Sequence, residues 1–234
     1  MLSLSKFMGL LRISFMLFAI STLAAIAYAQ DYKVDSFEAA APTELAAAVR
    51  ETLGNTAIRV TGPEGPLCEI WLRKVVPALA NPPQKLGIAY GQFEEGTLFG
   101  AVRFLRETRD FRKQLVKPGV FTLRYALNPV DGNHMGVSPI RDFLLLLPAA
   151  EDVNPANLAR LDTINLSKKS IGLNHPSAWS ITNGEGEHAK MPEVARLEEE
   201  DAWVLYFRVQ VLPTGGAPAP LVLGLIVMGH APEA

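Results

Sequence analysis

The chain has 234 residues, 49% hydrophobic, 20% charged and 8% aromatic, with a formal net charge of −2. So much apolar content at so low a charge excludes intrinsic disorder and suffices for a substantial core. The lack of a basic excess argues against nucleic acid as a partner. A single cysteine, Cys68, rules out an intramolecular disulfide and thiolate zinc or iron–sulfur sites.

The amino terminus reads as a secretory signal. Lys6 and Arg12 make a positive start, and residues 13–27 are apolar except for Ser14, Ser21 and Thr22. Ala27-Tyr28-Ala29 supplies the small-x-small pattern that signal peptidase cleaves. The expectation is a signal peptide over residues 1–29, cut near Ala29-Gln30, and an exported chain, periplasmic or secreted. An uncleaved anchor is the competing reading, but the apolar stretch is short for a span and ends in a cleavage pattern. The apolar run at 221–228 is too short to cross a bilayer, so no stable membrane insertion of the mature protein is expected.

After a polar stretch at 30–41, residues 42–54 predict a short helix, with Leu45, Ala48, Val49 and Leu53 at helical spacing and Gly54 just past its end. Residues 57–61 and 67–73 predict a hairpin around the turn at 62–66. Cys68, Ile70 and Leu72 share one face of the second strand, so Cys68 reads as a small core hydrophobe. Asn81-Pro82-Pro83 breaks the chain, and 86–92 and 97–105 predict strands. Lys117-Pro118-Gly119 turns into a strand at 120–127, a polar loop follows, and 140–147 carries four consecutive leucines, as in a strand covered on both faces. Asn154-Pro155 predicts the start of a second helix, with Leu158, Leu161 and Ile164 as its apolar stripe. Strands at 176–182, 202–212 and 221–229 complete the series. About nine strands at this spacing predict a mainly β fold. The expected architecture is an antiparallel β-sandwich, Ig-like or jelly-roll-like, with two short helices. Residues 30–234 read as one such domain with a short N-terminal helical extension.

The segment Lys117-Pro118-Gly119-Val120-Phe121-Thr122-Leu123-Arg124-Tyr125 resembles a turn-strand common in exported bacterial β-sandwich domains. With Asp131-Gly132-Asn133-His134-Met135-Gly136 and Arg141-Asp142-Phe143-Leu144-Leu145, the pattern is similar to that of uncharacterised exported bacterial β-sandwich proteins. The resemblance covers residues 85–230 and implies an exported sandwich; it implies no activity.

Motifs for zinc hydrolysis, phosphate loops and the serine elbow are absent. Polar groups concentrate instead in Asp131, Asn133, His134, Arg141 and Asp142, with His175 at the mouth of a later strand. If the two loops share an end of the fold, these residues form a ligand site. In a metal alternative, His134, His175, Asp131 and Asp142 would bind zinc or copper. The competing reading is plain loop architecture, since Asp, Asn and Ser side chains bond their own backbone in turns. Arg141 and Asp142 are adjacent on a strand and point to opposite faces, so they are not expected to pair. His134-Met135, His188 with Met191, and Met228 with His230 place imidazole near thioether, a pairing that suits copper(I). Ser138, with His134 and Asp142, is the nearest approach to a nucleophilic triad. Trp71 and Trp179 are candidate platforms for sugar or protein, against a reading in which both rings are buried.

These readings give a non-catalytic exported binding or accessory protein without cofactor and of unknown ligand, with an exported protein or a carbohydrate as candidate partners. A periplasmic copper- or zinc-binding protein is the second reading and a hydrolase the third.

Overall fold

One hydrogen-bonded path of strands, curled so that its two ends approach, organises the molecule. The computed structural model describes residues 31–131, 134, 138, 140–184, 186, 188 and 190–231. The expected signal peptide at 1–29 lies outside the described residues. Tyr32–Ala234 makes up one of the chain's two compact units. In chain order its elements are β1 (Lys33–Glu38), α1 (Ala47–Arg50), β2 (Leu53–Gly62), β3 (Gly65–Arg73), β4 (Val76–Ala78), β5 (Leu98–Phe104), β6 (Thr108–Arg109) and β7 (Leu115–Val116). They continue with β8 (Gly119–Leu127), β9 (Asp142–Pro148), α2 (Arg160–Ile171), β10 (Ala178–Asn183), β11 (Glu193–Leu197), β12 (Ala202–Pro213) and β13 (Ala219–Met228).

The sheet runs β1-β2-β3-β5-β8-β9-β10-β13-β12-β11, antiparallel throughout, and β4 joins it by a parallel pairing with β12. β6 and β7 form a separate small hairpin. The fold is therefore mainly β with two helices, as expected. The pairing gives one large curled mixed sheet, mostly antiparallel, with β4–β12 as its parallel pair. Twist accumulates over so many strands and bends the sheet around its own apolar face. Tyr32, just ahead of β1, lies 5.5 Å ring to ring from Trp203 of β12.

The interior of the curl is a single cluster fed by nearly every long strand: Val60, Ile70, Val102, Leu146, Phe207 and Leu225 are typical members. Cys68 lies in it, fully buried, and burial pushes its thiol up to about 12. The leucine run of β9 is covered on both faces, as its composition predicts. Leu144 and Leu146 face the interior, while Leu145 and Leu147 join a second cluster on the outer face, against α2. A third cluster, with Leu45, Val49 and Leu53, covers the outer face of β3.

Three local expectations change. The helix expected at 42–54 is a single turn, because Leu53 and Gly54 already belong to β2. The strand expected at 86–92 is irregular: the Ala89 and Tyr90 amides, which a ladder would use, donate to the Asp142 carboxylate at 2.9 and 3.0 Å. The second helix starts at Arg160, not at Asn154-Pro155, and Leu161 points outward, 71% exposed.

The late start of α2 has a physical cause in Arg124. This β8 side chain is 0% exposed and its partner Asp152 1%. Arg124 Nε and one terminal nitrogen each donate to Asp152 at 2.7 Å. The remaining guanidinium donors go to the carbonyls of Gly96, Ala156 and Asn154. Thr122 Oγ1 also donates to Asp152. Carbonyls of Asn154 and Ala156 that a helix would use for its own amides are thus taken, and regular turns begin only beyond them. Gly96 sits in the same knot with φ +84°, and a Cβ there would lie 1.9 Å from the Leu158 carbonyl oxygen.

Removing one partner of a buried, fully bonded pair strands the other charge, at a cost of about 3–5 kcal/mol. Asp152→Ala should therefore lower the free energy of unfolding by about that amount in urea titrations. A loss below about 1 kcal/mol, the range of an exposed pair, would contradict the structural weight given to Arg124.

Candidate functional site

The outer face of β8, β9 and β10, roofed by α2, encloses a cavity of about 250 Å³. Its buried floor is apolar: Phe111, Ala126, Phe143, Leu145 and Ala178, with Ile164 of α2 above. Small Ala126 and Ala178 leave the space that larger residues would fill. The half-exposed rim is polar, with Arg112, His134, Arg160, Lys168, His175 and Glu95.

Each rim group is held by a specific device. Arg160, Ile164 and Lys168 recur at four-residue spacing, so one face of α2 carries all three over the opening. The helix ends at Gly172 in the left-handed region, which frees the chain to turn back toward His175. Arg112 rides on the tight loop between β6 and β7. Asp110, fully buried, pins that loop by accepting from the Arg112 and Gln114 amides at 2.9 Å and from Gln114 Nε2 at 2.8 Å, and ties it to β10 through the Ala178 amide. Arg160 pairs with Glu95 through both carboxylate oxygens, which neutralises that part of the rim.

The two histidines singled out in the sequence meet here. Their ring centroids are 6.2 Å apart with planes tilted by 32°. His134 Nδ1 lies 2.7 Å from Asp131 Oδ1, and His175 Nδ1 lies 3.0 Å from the Pro176 carbonyl oxygen. With a carbonyl as its partner, the His175 Nδ1 must donate, which leaves Nε2 as the nitrogen available to a ligand. Burial holds the His175 pKa below its ordinary 6.5 against the hydrogen bond to Pro176; Arg112 and His134 act in the same downward direction, and Asp110 opposes them.

The other candidates take different places. Asp142 is fully buried and accepts the Tyr125 hydroxyl at 2.6 Å besides the two amides of the 89–90 segment, so it is a structural clamp. The same environment raises the Tyr125 pKa, chiefly by burial and then by the Asp142 charge. Arg141, just ahead of β9, donates to the Asn128 carbonyl from Nε at 3.0 Å and a terminal nitrogen at 2.7 Å, and so braces the loop that leads to the rim. Asn133 lies outside the described residues, as do Met135 and the copper(I) pairing built on it. Ser138 Oγ is 3.1 Å from Ser180 Oγ and, among the described residues, makes no hydrogen bond to His134. With Asp142 turned to other partners, the triad of Ser138, His134 and Asp142 does not assemble. Asp142 is likewise withdrawn from the metal set of His134, His175 and Asp131. Among the described residues, no group of three or more His, Cys, Asp or Glu is placed to hold a metal ion.

Trp71 and Trp179 are each 2% exposed, so neither presents a ring face to sugar or protein. Trp71 packs under the segment that crosses β3, with Nε1 donating to the Ala39 carbonyl at 3.0 Å. Trp179 is in the interior, edge-on to Phe104. Both rings are buried, as their alternative reading has it, Trp71 in the cluster on the outer face and Trp179 in the interior.

Sequence reasoning missed Arg112, Lys168 and the floor residue Phe111. The one available signal was the polar stretch around a single aromatic, Thr108-Arg109-Asp110-Phe111-Arg112-Lys113, where an isolated Phe marks a segment docked on apolar surface. Compared with known proteins, the chain matches no family model, no curated protein and no solved structure.

A base whose pKa is lower folded than unfolded binds its proton more readily when unfolded. The His175 contribution is therefore complete above pH 6.5 and is lost as the pH falls from there to the folded value. Tm of His175→Asn should fall less than that of the wild type as the pH is lowered below 6.5. Parallel Tm curves would show that His175 titrates alike in both states.

Proposed function

We propose that this is an exported, non-catalytic binding protein that holds a small, largely apolar molecule in the cavity under α2. The observation that carries the reading is the cavity itself, with apolar floor, polar rim and a rigid sheet behind it. Concave sites of this composition, set on regular elements, are where small ligands are held. The leader at 1–29 supports export, and among the described residues no helix is long and apolar enough to cross a membrane. An apolar cavity of about 150 Å³ accepts benzene, so one of this size suits a ligand of roughly ten non-hydrogen atoms. Catalysis finds less support, because no described nucleophile is bonded to either rim histidine.

A second reading keeps zinc or copper as the ligand of the His134–His175 pair. It is favoured by the 6.2 Å ring separation and by the Asp131 contact to His134 Nδ1, the outer arrangement typical of metal-binding histidines. Zinc titration of wild type and His134→Ala tests it: heat of binding lost in the variant supports the metal, and equal heats remove it.

For the main reading, isothermal titration with 1-octanol should give one site per chain. Ala178→Leu, which places three further carbons in the cavity, should weaken that binding at least about tenfold. Unchanged affinity in Ala178→Leu would place the ligand elsewhere.

A further inference from the structure

We propose that the cavity selects anionic amphiphiles, small apolar molecules with a single carboxylate head, and that Arg112 and Lys168 receive the head. This rests on the binding reading above and adds the charge of the ligand to it. The rim carries three permanent cations, Arg112, Arg160 and Lys168, and one carboxylate, Glu95. Glu95 is bonded to Arg160, so those two cancel. Among the described residues no ion pair neutralises Arg112 or Lys168. The nearest buried carboxylate, Asp110, already accepts hydrogen bonds from Arg112 and Gln114 amides, Gln114 Nε2 and the Ala178 amide.

The two cations come from different elements. Arg112 is on the hairpin loop that Asp110 fixes, and Lys168 is on the last turns of α2. Both are only half-exposed, and both border the same opening above Phe111, Phe143 and Ile164. Two unneutralised cations beside an apolar cavity are costly to leave without a counter-charge, and a bound anion supplies one. A carboxylate matches guanidinium geometry and accepts charge-assisted hydrogen bonds from both. The tail is limited by the cavity volume of about 250 Å³, which excludes a two-chain lipid and suits a linear or aromatic acid of medium length.

The experiment compares octanoate with 1-octanol, two probes of equal length that differ in the head. Purified protein titrated with each at pH 7.5 and low salt should bind octanoate at least about tenfold more tightly. That advantage should shrink as sodium chloride is raised, because half-exposed charges are screened. In the double variant Arg112→Gln, Lys168→Gln the ratio of the two affinities should fall toward one, whereas Lys33→Gln, on the far edge strand, should leave octanoate affinity unchanged. Equal affinity for the two probes in wild type would overturn the anion assignment and leave the cavity reading standing. Failure of both probes to bind would overturn both. An octanoate preference that survives the double variant, or that salt does not touch, would also defeat the assignment to Arg112 and Lys168. If the double variant does not fold, the single variants Arg112→Gln and Lys168→Gln carry the same test, each expected to lower the ratio and each, if it leaves the ratio unchanged, removing that residue from the assignment.

Discussion

Arg124 and Asp152 form the knot on which the site depends. A buried pair of this kind seldom adds net stability over apolar residues of the same size, because both ions must leave water. What it does here is positional. The guanidinium collects three carbonyls from two separate chain segments, Gly96 of the β4–β5 connection and Asn154 and Ala156 of the β9–α2 connection, and ties them to β8. The chain between β9 and α2 can leave the sheet in only one way that satisfies those donors. That exit sets where Arg160 begins the helix, and hence which helical face looks down on Ala126, Phe143 and Leu145. The roof of the cavity is a downstream result of satisfying five N–H donors away from water.

Asp142 and Asp110 apply the same device at two other places. Each is a fully buried carboxylate whose acceptors are filled mainly by backbone amides of an irregular segment. In the segments so held, 89–90 and 110–114, a single buried ring, Tyr90 or Phe111, anchors the chain and the carboxylate takes up the amides beside it. Loops near the cavity are thus fastened by charge inside the protein, while the strands behind them are fastened by hydrophobic burial. This division suits a site whose walls come from the sheet and whose polar groups come from loops.

Long, apolar elements were legible in the sequence, and the reasons are visible in the packing. β12 alternates from Phe207 on because Phe207, Val209 and Val211 meet the interior while Arg208, Gln210 and Leu212 face solvent, and the β9 leucines are continuous because both sides are covered. β1 and β11 were not legible: they lie at the ends of the strand path, and polar edge strands lack the alternation on which such readings rely. Curling of the sheet was also hidden, since twist is not written in any one residue. At the site, His134 and His175 were visible as residues, but their meeting depends on how the 128–141 loop and the turn after α2 share an end of the fold. Asp142 was read as a ligand because a polar loop precedes it, and its burial depends on amides more than fifty positions earlier. Arg112 and Lys168 carried no signal, as lone cations in polar stretches are ordinary.

The burial of Cys68 has a consequence for how this chain meets oxidants and thiol reagents. Burial pushes the thiol up to about 12, so the native protein carries almost no thiolate at neutral pH, and that sulfur lies where neither glutathione nor a second chain can reach it. Mixed disulfides and covalent dimers therefore have to wait for the curl of the sheet to open. The rate at which a thiol reagent labels the native protein becomes a clock for global unfolding, built into the chain without any engineered probe.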